Sequence, residues 1–416
     1  RKWLLGALAL TFVATAALPV VDTEAARAPT PTRTPTRTPT PVGAGQATQR
    51  RAYVPVVSRD PTPTPTPSPT PAPRTAMAVG ANVIDNNFEL VRDMGFSWVK
   101  LYADWDGADP EGQVDAALQR YPGVGILLRI DKAPAAARTG NDADPIRAEA
   151  LQAYLRNLVV RLKGKVRAYE LFNEPNLKWE WNTHIAGGGG MPSAAGYARI
   201  LQAAYPVIKE IDPSAIVVTG GLSPAGDGGP GSVGDLAFMQ GLYDNAGGSF
   251  DAIGIHPYGG PFAWDQGRGD PGGVYFLRAE EARGVMLRNG DAGRTLWATE
   301  FGWLVDPRAY GYATYQGRDC LAGLGGRINW VRSPQDVAGQ LAAAYRYAAD
   351  NWPWLGGMFF FNFDFSAAGW VSSYDKVCDA PTWYSIVSKG NMPGRPYTEP
   401  AYEALKSFTR DYLLAR

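Results

Sequence analysis

Cysteine and histidine are nearly missing from this chain, with two of each among 416 residues. His184 and His256 are too few for a typical zinc site and no Cys/His cluster exists, so no catalytic metal and no cofactor is expected. Net charge is missing as well. Forty lysines and arginines balance forty aspartates and glutamates, so no net field steers nucleic acid or an acidic substrate. A glycine-rich phosphate turn is also absent. The first strand-like run, VGANVIDN, lacks GxGxxG, which argues against a doubly wound nucleotide-binding sheet.

The N-terminal residues 1–26 carry Arg1-Lys2 and then the apolar stretch WLLGALALTFVATAALPVV, with small residues at Ala14 to Ala17 and at Ala25-Ala26. A basic start, an apolar middle and small residues near a cleavage point describe a secretory signal peptide. An uncleaved membrane anchor is the alternative, since the run is almost long enough to span a bilayer. Either reading places the rest outside the cytoplasm, extracellular or at the cell surface. Residues 27–75 contain PTPTRTPTRTPTP and PTPTPTPSPTPAP, tracts that cannot build a core and act as extended, disordered spacers. They are also candidate O-glycosylation stalks. The patch RRAYVPVVSRD between them has no evident physical role.

From residue 76 to 416 the pattern changes to alternating strands and helices. The strand candidates are Met77 to Ile84, Phe96 to Trp105, Val124 to Ile130, Val166 to Glu174, Ala215 to Ser223, Asp251 to Tyr258, Arg294 to Trp303 and Gly356 to Phe365. Short apolar, β-branched and aromatic runs bounded by Gly, Pro or Asp are what buried strands look like. Longer stretches with helical spacing separate them, with Ser193 and Ser333 as N-caps and Pro334 at a first helical position. Eight strands each followed by a helix imply one α/β domain, a (β/α)8 TIM barrel.

In that fold catalytic groups sit at the carboxyl ends of strands. Glu174 in YELFNEPN and Glu300 in TLWATEFGW each stand one step past a strand-like run. Two carboxylates at two strand mouths suit cleavage of a glycosidic bond, one protonating the leaving oxygen and the other meeting the positive charge on the sugar. Either glutamate alone reads equally well as a surface residue; the pair in this register does not. Tryptophan is plentiful, at 13 residues, and neutral sugars match flat rings with a polar handle. Trp98 and Trp297 belong to the barrel walls on this reading. Trp179, Trp181, Trp303 and Trp370 fall in loops after strands four, seven and eight and are cleft candidates. The stretch from Lys178 to Pro192, with its four consecutive glycines, is expected to be a mobile loop bordering that cleft. Cys320 and Cys378 both fall in loops after strands seven and eight, and in an exported chain they most simply form a disulfide; two buried free thiols are the alternative.

These residues resemble clan A of the glycoside hydrolases, with families 5 and 39 nearest. The Asn173-Glu174-Pro175 signature after strand four, Glu300 after strand seven, the segment His256-Pro257-Tyr258 after strand six and the closing stretch YSIVSKGNMPGRPYTEPAYEALKSF carry the resemblance. It implies a retaining double displacement with Glu300 as nucleophile and Glu174 as acid and then base. Glu174 must begin protonated, and a nearby ionised Glu300 favours that. The resemblance also implies that Asn173 hydrogen-bonds the sugar 2-hydroxyl and that Tyr258 donates to Glu300. His256 is either a substrate contact or a satisfied strand-end histidine. Glu170 points inward beside Glu174 and needs a cation, from Arg129 or Lys100. Many relatives carry Arg where this chain has Lys100, and Trp where it has FFFNFDF, so the sugar stays open. The expectation is a secreted, monomeric glycosidase of a β-linked, mostly neutral oligosaccharide or polysaccharide. A transglycosylase and a catalytically silent glycan-binding surface protein are the alternatives.

Overall fold

In the computed structural model, residues 77–367, 376–388 and 392–413 are described. The segments read as signal peptide and linker lie outside these, as does Trp370. Eight parallel strands close into a barrel: β1 (Ala78–Asn82), β2 (Trp98–Asp104), β3 (Gly125–Asp131), β4 (Ala168–Leu171), β5 (Ile216–Thr219), β6 (Ala252–Ile255), β7 (Thr295–Phe301) and β8 (Leu355–Phe360). Each strand pairs with its neighbours in sequence and β8 pairs back onto β1, with Ala78 opposite Gly357 and Ala81 opposite Phe360. The outer layer holds α1 (Phe88–Asp93), α2 (Glu111–Arg120), α3 (Ala148–Leu162), α4 (Ala194–Ile211), α5 (Asp235–Asn245), α6 (Arg278–Arg288), α7 (Pro334–Asn351) and α8 (Pro400–Phe408). No helix among the described residues is long and apolar enough to cross a membrane.

The helices form where apolar residues recur at helical spacing behind a capping group. In α3, Leu151, Leu155, Leu158, Val159 and Leu162 make one buried stripe against the barrel. Ser193 caps α4 by accepting from the Gly196 amide at 3.0 Å, and Ser333 caps α7 by accepting from Asp336 at 3.1 Å. Pro334 follows at the first position of α7.

The barrel interior is layered, and the layering positions the site. Strand alternation sends every second side chain inward. At the amino end these are Ala78, Leu127, Ala168, Val218, Ala252, Trp297 and Phe359, with Trp98 packed against them. The Trp98 and Trp297 rings meet edge to face at 5.6 Å, and Trp297 stacks on Phe359 at 5.9 Å. Each such buried ring contributes about 1.5–3 kcal/mol. Gly80 makes room for them, since a Cβ there would stand 2.3 Å from Phe359. Two residues further along the strands the inward positions turn polar at Lys100, Arg129, Glu170 and Thr299, joined by Asn82 four residues beyond Ala78, all buried. An apolar plug closes the floor and a charged layer lies over it.

Candidate functional site

Glu300 owes its position to an irregularity in β7. Ala298 pairs with Met358 and Phe301 with Phe360, so three steps on β7 answer two on β8. Such a bulge turns consecutive side chains to the same side. Thr299 and Glu300 therefore both reach the barrel mouth. Glu174 is placed by strain of another kind. Phe172 and Glu174 have φ of 65° and 36°, in the region non-glycine residues avoid. The Phe172 amide donates to Ile130 at 2.7 Å, the Glu174 amide to Gly221 at 3.1 Å and the Leu177 amide to Glu174 at 2.8 Å, which fixes the turn.

Around Glu300 the charged layer converges. Lys100 Nζ lies 3.1 Å from Glu300 Oε1 and 2.8 Å from Glu170 Oε2, so it supplies the inward-facing Glu170 with its cation. Arg129 Nη1 stands 3.8 Å from Glu300 Oε1, and Tyr258 donates its hydroxyl to Glu300 Oε2 at 2.8 Å. Burial alone would raise the Glu300 pKa, but His256, Lys100, Arg129 and the Tyr258 hydrogen bond together bring it to about 2. Glu300 is therefore a carboxylate at any ordinary pH. Tyr258 is pushed the other way, well above its usual range, by burial and by the Glu300 charge, so its proton stays in that bond.

Glu174 meets His256 instead, with Glu174 Oε1 3.0 Å from Nδ1. The other ring nitrogen faces Thr299 Oγ1 at 3.1 Å. This contact serves either protonation state: an Nδ1–H donates to an ionised Glu174, and a protonated Glu174 donates to a bare Nδ1. The same Nδ1 lies 3.8 Å from Glu300 Oε2, so one imidazole stands between the two carboxylates. Gly221 is required beneath it, because a Cβ there would sit 2.2 Å from His256 Nε2.

A second cluster adjoins the first, which the sequence reading did not anticipate. Just after the acid turn, Glu180 and His184 face each other with 2.5 Å between Oε2 and Nδ1, and Asp131 Oδ2 lies 3.7 Å from that nitrogen. Their spacing of four residues on a helical turn was the available signal. Burial raises the Glu180 carboxyl to about 7, against the lowering effect of the His184 bond. His184 is raised despite its burial, because Glu180 and Asp131 hold its proton. The donor atoms of Asp131, Glu180 and His184 lie within 4.8 Å of one another, close enough to share a cation. Arg129 already supplies one, 3.3 Å from Asp131, and the group reads as an ion-pair network.

The residues named from the sequence divide accordingly. Glu174, Glu300, His256 and Tyr258 come together, and Asn173 joins them through Arg129, whose Nη1 donates to Asn173 Oδ1 at 2.9 Å. A pocket at this mouth is lined by Tyr102, Arg129, Asn173, Trp179, Glu180, Glu300, Phe361 and Phe365. Trp179 is thus at the cleft, and Phe361 and Phe365 from the segment after β8 line one wall. Lys100 needs correction: it is completely buried between Glu170 and Glu300 and holds charge, not substrate. Trp303 is a wall residue, buried against Phe276 and Phe301 with its indole N–H on the Phe262 carbonyl at 2.8 Å. Trp181 is likewise buried, its N–H bonded to Asp142 at 2.6 Å. The glycine stretch beyond it is held: Asn182 Nδ2 donates to Lys178 and Gly190 carbonyls at 2.8 Å each. Cys320 and Cys378 are joined as a disulfide.

No protein-family model matches the chain, and no curated protein matches its sequence. Solved structures do resemble it. A family 39 glycoside hydrolase from the gut symbiont Bacteroides cellulosilyticus WH2 superposes with a TM-score of 0.56 at 20% identity, over 80% of this chain and 63% of that one. The β-glycosidase BGL167 does so with a TM-score of 0.51 at 13% identity, over 78% and 85%. A monomeric β-xylosidase from Caulobacter crescentus CB15 gives 0.50 at 16% identity, over 81% and 68%. The chain spans under two thirds of the length of the first of these enzymes. At such identities the likeness establishes the (β/α)8 barrel.

Proposed function

We propose that this chain is an exported, retaining glycoside hydrolase acting on a β-linked, mostly neutral glycan. The observation that carries this reading is one pair of carboxylates at the mouths of β4 and β7, given opposite surroundings and bridged by one imidazole. Glu300 is surrounded by Lys100, Arg129 and Tyr258 and is ionised. Among the described residues, the Glu174 carboxyl is ion-paired with neither Lys100 nor Arg129 and meets His256. A carboxylate held ionised by neighbouring cations, beside a second carboxyl group that meets an imidazole, suits a nucleophile and an acid. Both contact His256 Nδ1, at 3.0 and 3.8 Å, so those two oxygens are separated by no more than the two distances together. That upper limit falls at the short edge of the ~6.5–9.5 Å an inverting enzyme needs for its water and accommodates the ~5–5.5 Å of a retaining one.

Glu300 would attack the anomeric carbon while Glu174 passes a proton to the departing oxygen. Glu174 would then take a proton from water as that water displaces Glu300 from the sugar. Trp179 offers the sugar a flat face, with Phe361 and Phe365 completing the pocket. The barrel similarity to a β-glycosidase, a β-xylosidase and a family 39 glycoside hydrolase supports the substrate class. The Cys320–Cys378 disulfide and the signal-like N-terminus support export.

The test is a panel of aryl β-glycosides with xylan, mannan and mixed glucan, followed by two variants. Glu174→Ala should keep appreciable turnover of substrates with good leaving groups, and azide should speed it by giving the β-glycosyl azide. Glu300→Ala should be nearly inactive throughout. The reversed pattern would exchange the two roles, and an unaffected hydrolysis in both would remove the chemistry from this site.

A further inference from the structure

Asn173 is gripped at both ends of its amide. Arg129 Nη1 donates to Oδ1 at 2.9 Å, and Nδ2 donates to Glu180 Oε1 at 2.6 Å. A guanidinium can only donate and a carboxylate can only accept. Of the two orientations an asparagine amide can take, this pair of neighbours permits one, with the nitrogen toward Glu180 and its second N–H left over. We propose that Glu180 is a positioning residue for the glycosidase reaction, locking the Asn173 amide so that its remaining N–H is presented to the substrate, with His184 and Asp131 holding Glu180 in place. This rests on the glycosidase reading of the site.

Three features separate this role from ordinary packing. Glu180 lines the same pocket as Glu300 although its side chain is only 1% exposed. Keeping a charge that deep is unfavourable, and hydrogen bonding alone would be served by a neutral glutamine. A glutamine could turn its own amide over, however, and Asn173 could then turn with it. Above its raised pKa, the fixed sign of the Glu180 carboxylate forbids the second orientation. The charged groups facing Glu180 are Arg129 and Asp131 from β3, Glu174 from the turn after β4 and His184 from its own helical turn. Protonating Glu180 makes it a donor as well as an acceptor and releases the constraint. Because Glu300 remains ionised down to about 2, it cannot cause a loss of activity on mild acidification, whereas Glu180 can.

Three measurements test the proposal, the first of them independent of activity. In the ligand-free protein at a pH well above the Glu180 value of about 7, the side-chain amide of Asn173, assigned by its disappearance in Asn173→Ser, should give one 1H–15N pair with a strongly downfield, slowly exchanging proton. Glu180→Leu should abolish that shift, and Glu180→Gln, the isosteric change that keeps the fold, should give two orientations or a broadened pair. Second, with the best aryl β-glycoside, Glu180→Leu should lower kcat about 100-fold with KM little changed, as misplacement of a reacting geometry does. Glu180→Leu combined with Asn173→Ala should be no worse than Asn173→Ala alone. Third, Glu180→Gln should flatten the acidic limb of kcat/KM. An unchanged Asn173 amide signal in both Glu180 variants would overturn the proposal, as would fully additive kinetic losses. If the wild type cleaves no glycoside, the functional reading fails, and the amide spectrum still decides whether Glu180 fixes Asn173.

Discussion

The Tyr258 hydroxyl carries one of the four influences that bring Glu300 to about 2, and it is the one removable without taking away a charge. Tyr258→Phe keeps the ring, which packs at 5.4 Å from Tyr384 and 6.1 Å from Phe361. It deletes only the 2.8 Å hydrogen bond to Oε2. A hydrogen bond to a charged group contributes about 1.5–3 kcal/mol, so the Glu300 pKa should rise by roughly one to two units. The sign follows from the role: the nucleophile works as the anion, so a raised pKa removes activity from the acid side. The wild type should show no loss attributable to Glu300 between pH 4 and 7, whereas the variant should acquire an acidic limb below pH 5. Hydrolysis of an activated aryl glycoside across that range, with folding followed by circular dichroism, measures this. A profile identical to wild type would mean that the cations alone set the state of Glu300.

Within single elements, neighbouring residues part company in ways composition cannot indicate. Trp179 and Trp181 are two positions apart on one helical turn, and the turn sends them to different sides. Trp179 lines the pocket with its ring centroid 5.5 Å from that of His184, edge to face, and Trp181 is fully buried on Asp142. Trp179→Ala should therefore raise KM for oligosaccharides while leaving a small aryl glycoside nearly unaffected. Trp181→Ala should cost about 3–5 kcal/mol of stability, as large-to-small core changes do, with little change in KM for the folded fraction. Equal effects of the two substitutions on binding would contradict the assignment. The strands were legible because alternation and bounding Gly, Pro and Asp have a period a sequence displays. Ser193 and Ser333 were legible because capping is local. The β7 bulge was not, since it exists only in the pairing of Met358 and Phe360 with Ala298 and Phe301. Lys100 was misread for a related reason: strand position says that it points inward, but only the closed barrel puts it between two carboxylates.

Across the whole molecule, the barrel mouth is covered by loops that the strands alone do not hold. Cys378 leads into the short helix Ala380–Tyr384, and Tyr384 packs on both Tyr258 and Phe361. Asn362 secures the same segment, its side chain donating to the Pro381 carbonyl at 2.7 Å, and Arg395 donates to the Ser385 carbonyl at 2.6 Å. The Cys320–Cys378 bond spans 58 residues of chain and so joins the loop after β7 to the segment carrying that helix. Closing a loop of that length removes denatured-state entropy equivalent to about 4 kcal/mol in the chain-entropy model, an upper figure because native strain and residual structure subtract from it. Replacing both cysteines with serine should therefore lower Tm by several degrees, and reduction of the wild type should reproduce the shift. Since Tyr384 supports Tyr258, which holds Glu300, kcat should also begin to fall with temperature before global unfolding in the variant, and the two should coincide in the wild type. Activity and ellipticity followed along the same thermal ramp separate these outcomes. A Tm unchanged by reduction, or free thiols in the unreduced, denatured protein, would show that the two loops are held by packing alone.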